Sequence, residues 1–569
     1  MREQSVMRGP VDETYAEYIR TYNRNLGALS AEFPNGEFLL LQELLAIVYV
    51  PLAEGGYPSI QKYGYGAIPK LYTTMDERVS DAVGVTRLQA IPALSLTGNG
   101  TLLGIVDTGI DLRHPAFRDA SGRTRVRLLW DMTEENGEAP ETFGFGSLYG
   151  MEEINELLFS GSNAPLPGAD ETGHGTFLAG MAGGSASPEQ NFVGIAPGVE
   201  FVVVKLKQAK RYLKEYYGVS EEVSCYSEAD IMIGLRFVGM SALRLQRASS
   251  VLVGLGCGLG SHTGTGALSS YLDQQATFSG YAVSVAAGNE GNIGHHYQGM
   301  LSSGSTEDVE LRVGTRVNGF TMELWGSVPN NYSLSIRSPS GEWQPVYAVG
   351  RNAQIPISFV FETARIYVDY VLTEENSGLP LIQLRFHAPD PGIWTFRIFS
   401  GGANGEGRFD LYLPASGLLD RETYFFRPTP EGTITEPGNA ANGITAAATR
   451  LTDGQLYEEN SRGNTALGIP KPDVTAPGVE ILGCAPGGYT VGSGTSISAA
   501  VSAGCAALLL EWGIVQGQYP FMTGTTIRNF LIKGAKREPQ VRYPNTQSGY
   551  GSLDLYQTFL SFRGDGGRL

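Results

Sequence analysis

A chain of 569 residues is too long for one ordinary core, and about two to four domains are expected. Hydrophobic residues at 42% and charged residues at 17% exclude a disordered chain. A formal net charge of −17 argues against nucleic acid or anionic membrane as a main partner, and 75 glycines promise many tight turns and close backbone approaches.

The first unit runs from Met1 to about Thr74. Tyr15, Tyr18, Ile19 and Tyr22 fall at roughly helical spacing, which predicts a helix over Tyr15–Leu29. Phe38 to Val50 is a long apolar run closed by Pro51, and periodicity leaves open a buried strand or a helix passing into a strand. Together these describe a small α+β module. The N-terminus lacks the apolar core of a signal peptide, and no run of about 18 apolar residues follows, so the protein is expected to stay inside the cell. Four cysteines (Cys225, Cys257, Cys484 and Cys505) are widely spaced, which suggests neither a disulfide framework nor a zinc site.

Past Asp81–Leu96, a strand at Thr101–Val106 leads to Asp107-Thr108-Gly109. Carboxylates at the C-terminal ends of strands in an open α/β sheet stand where sites collect, although a lone Asp there often only caps a turn. Gly173-His174-Gly175-Thr176 reads as a helix start, and of the six histidines only His174 has such a context. His114, His262, His295, His296 and His387 read as ordinary loop or surface residues. Buried strands recur at Phe201–Val204, Ser250–Val253 and Tyr281–Ala287, with helices near Glu228–Arg244 and Ala267–Phe278 between them. This alternation implies a mainly parallel sheet covered on both faces. The last strand runs into Gly288-Asn289, on the same sheet edge as Asp107.

From about Gly299 the pattern changes. Short alternating segments at Val309–Val313, Tyr332–Ile336, Ile366–Tyr370, Leu381–Phe386, Trp394–Ile398 and Phe409–Leu413 read as an antiparallel β-sandwich ending near Glu431. The α/β pattern then resumes through Lys471-Pro472-Asp473 and Ala476-Pro477-Gly478 to Gly494-Thr495-Ser496, where a glycine-rich turn enters a small-residue helix. A serine at a helix N-terminus has unpaired N–H groups and the positive end of the dipole beside it. The alternative is a plain serine N-cap on a buried helix.

A hydroxyl nucleophile needs a base, an acid to orient that base, and donors for an oxyanion. Asp107, His174, Asn289 and Ser496, each glycine-flanked and each at an element end, supply that set. Their motifs and chain order resemble those of the subtilisin-like serine proteases. The resemblance implies a subtilisin-like three-layer α/β fold in which Ser496 is the nucleophile, His174 the base, Asp107 its orienting acid and Asn289 an oxyanion donor. Gly254, Leu255 and Gly256 would bind substrate, where the family commonly has Ser-Leu-Gly, and Ile497-Ser498-Ala499-Ala500 replaces the usual Met-Ala-x-Pro. The β-insert and the N-terminal module, with Thr124–Asp131 and Gly260-Ser261-His262, are similar to the Csp subtilases of spore-forming clostridia. Those carry a prodomain and a jelly-roll insert, and they act in spore germination on the precursor of a cortex-degrading hydrolase.

The implied division is a prodomain over 1–74, core over 75–299 and 432–569, and a jelly-roll sandwich over 300–431. The partners implied are a protein substrate and the chain's own prodomain, laid through the active site and cut between Leu71 and Asp76, in a cytoplasmic or spore-associated setting. No cofactor is implied. Structural calcium is common in the family, but no D-x-[DN]-x-[DN]-G loop is present and no metal site is assigned. A pseudoprotease using the same fold as a sensor or scaffold stays open as an alternative.

Overall fold

The computed structural model describes residues 7–22, 24–41, 44–55, 58–74, 83–85, 89, 94–161, 165–345, 353–400 and 406–562. An eight-stranded sheet forms the centre, in the order Val474–Val479, Ile444–Arg450, Tyr281–Ala286, Ala248–Val253, Thr101–Asp107, Glu200–Lys205, Val126–Asp131, Ser147–Gly150. All neighbours are parallel except the last pair. The middle strands are buried along their whole length, as both-face coverage requires. Alternate residues feed two cores. Leu102, Val106, Val202 and Val204 pack with the helix Glu228–Leu245, and Leu103, Ile105, Phe201 and Val203 pack with the helices His174–Gly183 and Thr495–Leu510.

Every residue of Thr495–Leu510 is buried, so this small-residue helix runs through the middle of a layer. With its continuation to Val515 it is long and apolar enough to cross a membrane, at mean hydropathy 1.6, but 89% of that stretch is buried inside the fold. All four cysteines are buried and unpaired.

The region after Asn289 contains a six-stranded and a four-stranded antiparallel sheet facing each other over Val309, Leu311, Leu384, Phe386, Trp394, Phe396, Phe409 and Leu411. Its first strand, His296–Ser302, pairs with Glu406–Tyr412 and begins before residue 300. The strands Gly319–Gly326 and Ala353–Ser358 join those the alternation identifies.

The N-terminal module departs from expectation. Tyr15–Thr21 is a strand paired with Leu45–Pro51, not part of a helix, and the helix is confined to Leu26–Glu32. The run Phe38–Val50 is neither a single strand nor a helix passing into one. It belongs to two strands, Glu37–Leu40 and Leu45–Pro51, and completes a three-stranded antiparallel sheet. Pairing across the sheet overrides the local spacing of the tyrosines. The stretch Asp81–Leu96 lies mostly outside the described residues.

Lys471 and Asp473 brace the far side of the core. Asp473 Oδ2 accepts from Lys471 Nζ and Thr445 N–H, both at 2.8 Å, and Oδ1 accepts from Arg528 Nε at 2.9 Å and Nη2 at 2.5 Å. Burial alone would raise this carboxyl, but the charges of Lys471 and Arg528 outweigh it and hold the group below the ordinary range. Asp473→Asn leaves a buried lysine short of its counter-charge and should cost about 3–5 kcal/mol in urea unfolding at pH 7. Because the folded pKa is depressed, this stabilisation is full above the unfolded value of about 4 and is lost as pH falls through the folded value, so mutant and wild type should converge in acid. A difference independent of pH contradicts this account.

Candidate active site

Asp107 ends the central strand Thr101–Asp107, and His174 opens the helix His174–Gly183. The structure joins them: His174 Nδ1 lies 2.7 Å from Asp107 Oδ1, with both side chains buried. The same oxygen accepts from Thr108 N–H at 2.8 Å. A carboxylate fixed in this way holds the imidazole proton on Nδ1 and makes Nε2 the basic nitrogen.

The helix can come so near only because residue 175 has no side chain. A Cβ on Gly175 would stand 2.3 Å from Gly109 O and 3.2 Å from Asp107 Cβ. Asp170, which the motif reading passed over, sets the angle of approach. Its Oδ1 accepts from Gly173 N–H at 2.9 Å and the Thr108 hydroxyl at 2.7 Å, and Oδ2 accepts from Thr176 N–H at 2.8 Å. Thr108 Oγ1 accepts in turn from Gly175 N–H at 3.0 Å. First-turn N–H groups have no partner inside their own helix, and Asp170 supplies one from outside. An acid three residues before the glycine that precedes the helix is the signal that could have identified it.

Ser496 is the second residue of Thr495–Leu510 and is fully buried. A Cβ built on Gly254 would lie 3.1 Å from His174 Cε1 and 3.4 Å from Ser496 Cβ. The imidazole and the serine side chain therefore border one backbone point, 254, from two elements far apart in sequence. Asn289 follows the strand Tyr281–Ala286, and its Oδ1 accepts from both the N–H and the hydroxyl of Thr495, each at 3.1 Å. Thr495 Oγ1 also accepts from Gly288 N–H at 3.0 Å. These bonds fix the amide orientation, with Oδ1 toward Thr495 and Nδ2 directed away from it.

Leu255–Gly256 pairs antiparallel with Leu71–Thr74, in the register Leu255↔Thr74 and Gly256↔Thr73. The other edge of Leu71–Thr74 takes Tyr226–Ser227, with Leu71↔Ser227 and Tyr72↔Tyr226. A segment of the chain itself is thus the middle strand of a three-stranded sheet leading toward Gly254. The Tyr226 phenol is pushed up by burial and then by the carboxylates of Asp107 and Asp170. The sequence signalled the 254–256 edge but not the opposing one at Tyr226–Ser227, which is only two residues long.

Of the histidines read as ordinary loop or surface residues, His114, His262 and His295 do stand in loops and His296 in a strand, but all four are buried. His114 meets Gly488 O at 2.7 Å, His262 lies between Ile434 O and Gly258 O, His295 meets Glu290, and His296 meets Asp410. Partners from distant segments, Gly488 O for His114, Ile434 O for His262 and Asp410 for His296, draw these rings inward, whereas Glu290 lies only five residues from His295. His387 is half-buried. Among the described residues no group of three or more His, Cys, Asp or Glu is placed to hold a metal ion.

The sequence model of the Subtilase family matches residues 98–355 and 395–551. The structure of the CspB protease of Clostridium perfringens superposes with a TM-score of 0.73 at 29% identity, over 84% of this chain and 96% of that one. Subtilisin-like protease SBT4.12 of Arabidopsis thaliana is 23% identical over 561 residues, 91% of this chain and 66% of its own. Bacillopeptidase F of Bacillus subtilis is 30% identical over 114 residues, 20% of this chain and 6% of its own. The chain thus spans just under two thirds of one of these curated relatives and a small part of the other.

Gly175→Ala should break the His174–Asp107 hydrogen bond by displacing the helix. In nitrogen-labelled histidine spectra, the wild type should show a hydrogen-bonded Nδ1 proton of His174 downfield of the amides. That signal should vanish both in Gly175→Ala and in Asp107→Ala. An unchanged signal contradicts the packing argument.

Proposed function

The chain belongs to the subtilase family, and we propose that it is a serine endopeptidase working through an acyl-enzyme on Ser496. The observation that carries this reading is the His174–Asp107 hydrogen bond, set where the imidazole and Ser496 meet at Gly254. In the proposed reaction Ser496 Oγ attacks the peptide carbonyl carbon while His174 Nε2 takes its proton. Asp107 stabilises the imidazolium that forms. The oxyanion is met by Asn289 Nδ2 and the Ser496 N–H at the helix N-terminus. Collapse breaks the C–N bond, and the imidazolium gives its proton to the departing amine. Water then repeats the attack with His174 again as base, releasing the acid and restoring Ser496.

The first substrate we assign is the chain itself. Residues 1–74 are read as a prodomain, 75–299 with 432–569 as the protease core, and 300–431 as a jelly-roll insert that braces it. The backbone pairing of Leu71–Thr74 in the cleft supports this reading. The scissile bond is assigned to the stretch from Leu71 to Asp76, where that pairing runs toward Gly254. Residues 75 and 76 lie outside the described residues. The similarity to Csp subtilases extends the proposal to a second substrate, the precursor of a cortex-degrading hydrolase in spore germination.

N-terminal sequencing of the purified protein should find a new terminus between Tyr72 and Asp76 in wild type and an uncut chain in Ser496→Ala. An uncut wild type, or cleavage that survives Ser496→Ala, contradicts the proposal. Asn289→Ala should slow turnover by roughly 100- to 1,000-fold, the range found for the corresponding donor in subtilisin. A loss below tenfold removes Asn289 from the oxyanion role.

A further inference from the structure

Glu290 directly follows Asn289 and is a buried carboxylate, 7% exposed. A buried carboxylate is costly unless its oxygens are met by donors, and here they are. Oε2 accepts from His295 Nδ1 at 3.0 Å, and Oε1 accepts from Ser416 N–H and Oγ, both at 2.9 Å. His295 stands just before the first strand of the β-insert, His296–Ser302, and Ser416 lies just beyond the exit strand Glu406–Tyr412. The two ends of the insert are themselves joined by Leu413 N–H to His295 O at 2.9 Å. One carboxylate therefore holds the way into the insert with one oxygen and the way out with the other. Burial alone would raise this carboxyl, but the His295 hydrogen bond and charge, with the Ser416 donors, bring it below its ordinary range.

The backbone between the two side chains has little freedom. Glu290 N–H donates to Ser461 Oγ at 3.0 Å, and Gly291 N–H donates to Glu459 O at 3.0 Å. Gly288, at φ +108°, turns the chain into the dipeptide, and a Cβ there would stand 2.6 Å from Ser461 Oγ. Asn289 is held from one direction by Thr495 and Glu290 from another by the insert. A shift of the Glu290 anchor therefore moves the base of the Asn289 side chain.

We propose that Glu290 is a positioning residue that locks the Asn289 amide to both ends of the β-insert, so that the insert acts on the reaction through this one carboxylate. The inference rests on the oxyanion role of Asn289 proposed above. The test is a double-mutant cycle on a small peptide substrate with the self-processed enzyme: wild type, Asn289→Ala, Glu290→Gln and the double variant. Glu290→Gln should lower kcat by about 10- to 100-fold, the penalty of a displacement on the order of 1 Å, with KM changed less than about twofold. In the Asn289→Ala background the same change should lower kcat by less than about twofold, since neighbours acting through one group are not additive. Equal losses in both backgrounds, or a higher KM with kcat intact, overturn the proposal while leaving the oxyanion reading standing. If Asn289→Ala itself leaves kcat unchanged, the oxyanion reading fails and the proposal falls with it. Should Glu290→Gln not fold, Ser416→Ala enters the same cycle and is judged by the same outcomes.

Discussion

The hydrogen bond from His174 to Asp107 joins a helix N-terminus to the end of the central strand, and the arrangement around it exists to make that contact possible. A helix cannot lie against a strand end so closely if its first turn carries a side chain, and Gly175 removes it. Its first-turn N–H groups must also find partners, and Asp170 and Thr108 supply them. Low dielectric then works in favour of the pair, because a buried carboxylate facing an imidazole stabilises the cation that proton transfer creates.

The same economy of contacts shapes the cleft. Leu255–Gly256 and Tyr226–Ser227 are two short strand edges separated by the width of one extended peptide. Unpaired edges invite a strand, and backbone pairing accepts one largely without regard to side chains. Leu71–Thr74 fills that gap from within the chain. The module that delivers it is docked through buried polar contacts: Lys210 Nζ donates to Gly9 O and Tyr15 O, and Glu17 N–H donates to the Tyr212 hydroxyl. Burial pushes Lys210 down to about 8, so its hydrogen bonds to these two carbonyls pass from charge-assisted to neutral in mildly alkaline solution.

The central sheet was legible because its strands are buried on both faces and read as continuous apolar runs, and Asp107, His174, Asn289 and Ser496 stood out as candidates because each sits at an element end within two residues of a glycine. The first strand of the N-terminal module was not legible, because Tyr15, Tyr18, Ile19 and Tyr22 fit a helix locally, while Tyr15–Thr21 pairs with Leu45–Pro51 beyond an intervening helix and strand. Asp170 and Glu290 escaped for a related reason. Their roles lie in what their oxygens accept, and those donors include Thr108, 62 residues away, and Ser416, 126 residues away. The buried histidines carry the same lesson, since His262 and His296 flank the Tyr412 ring at 3.8 and 4.5 Å although one belongs to the core loop and the other to the insert.

The central claim is that Asp107, His174 and Ser496 form one reacting centre, and the rate of covalent capture by a small fluorophosphonate measures it most directly. The account predicts a single adduct, on Ser496, in the wild type, forming roughly 10,000-fold more slowly in Asp107→Asn, where the imidazole is held in the wrong tautomer. An adduct elsewhere, or capture at the same rate in Asp107→Asn, would contradict it.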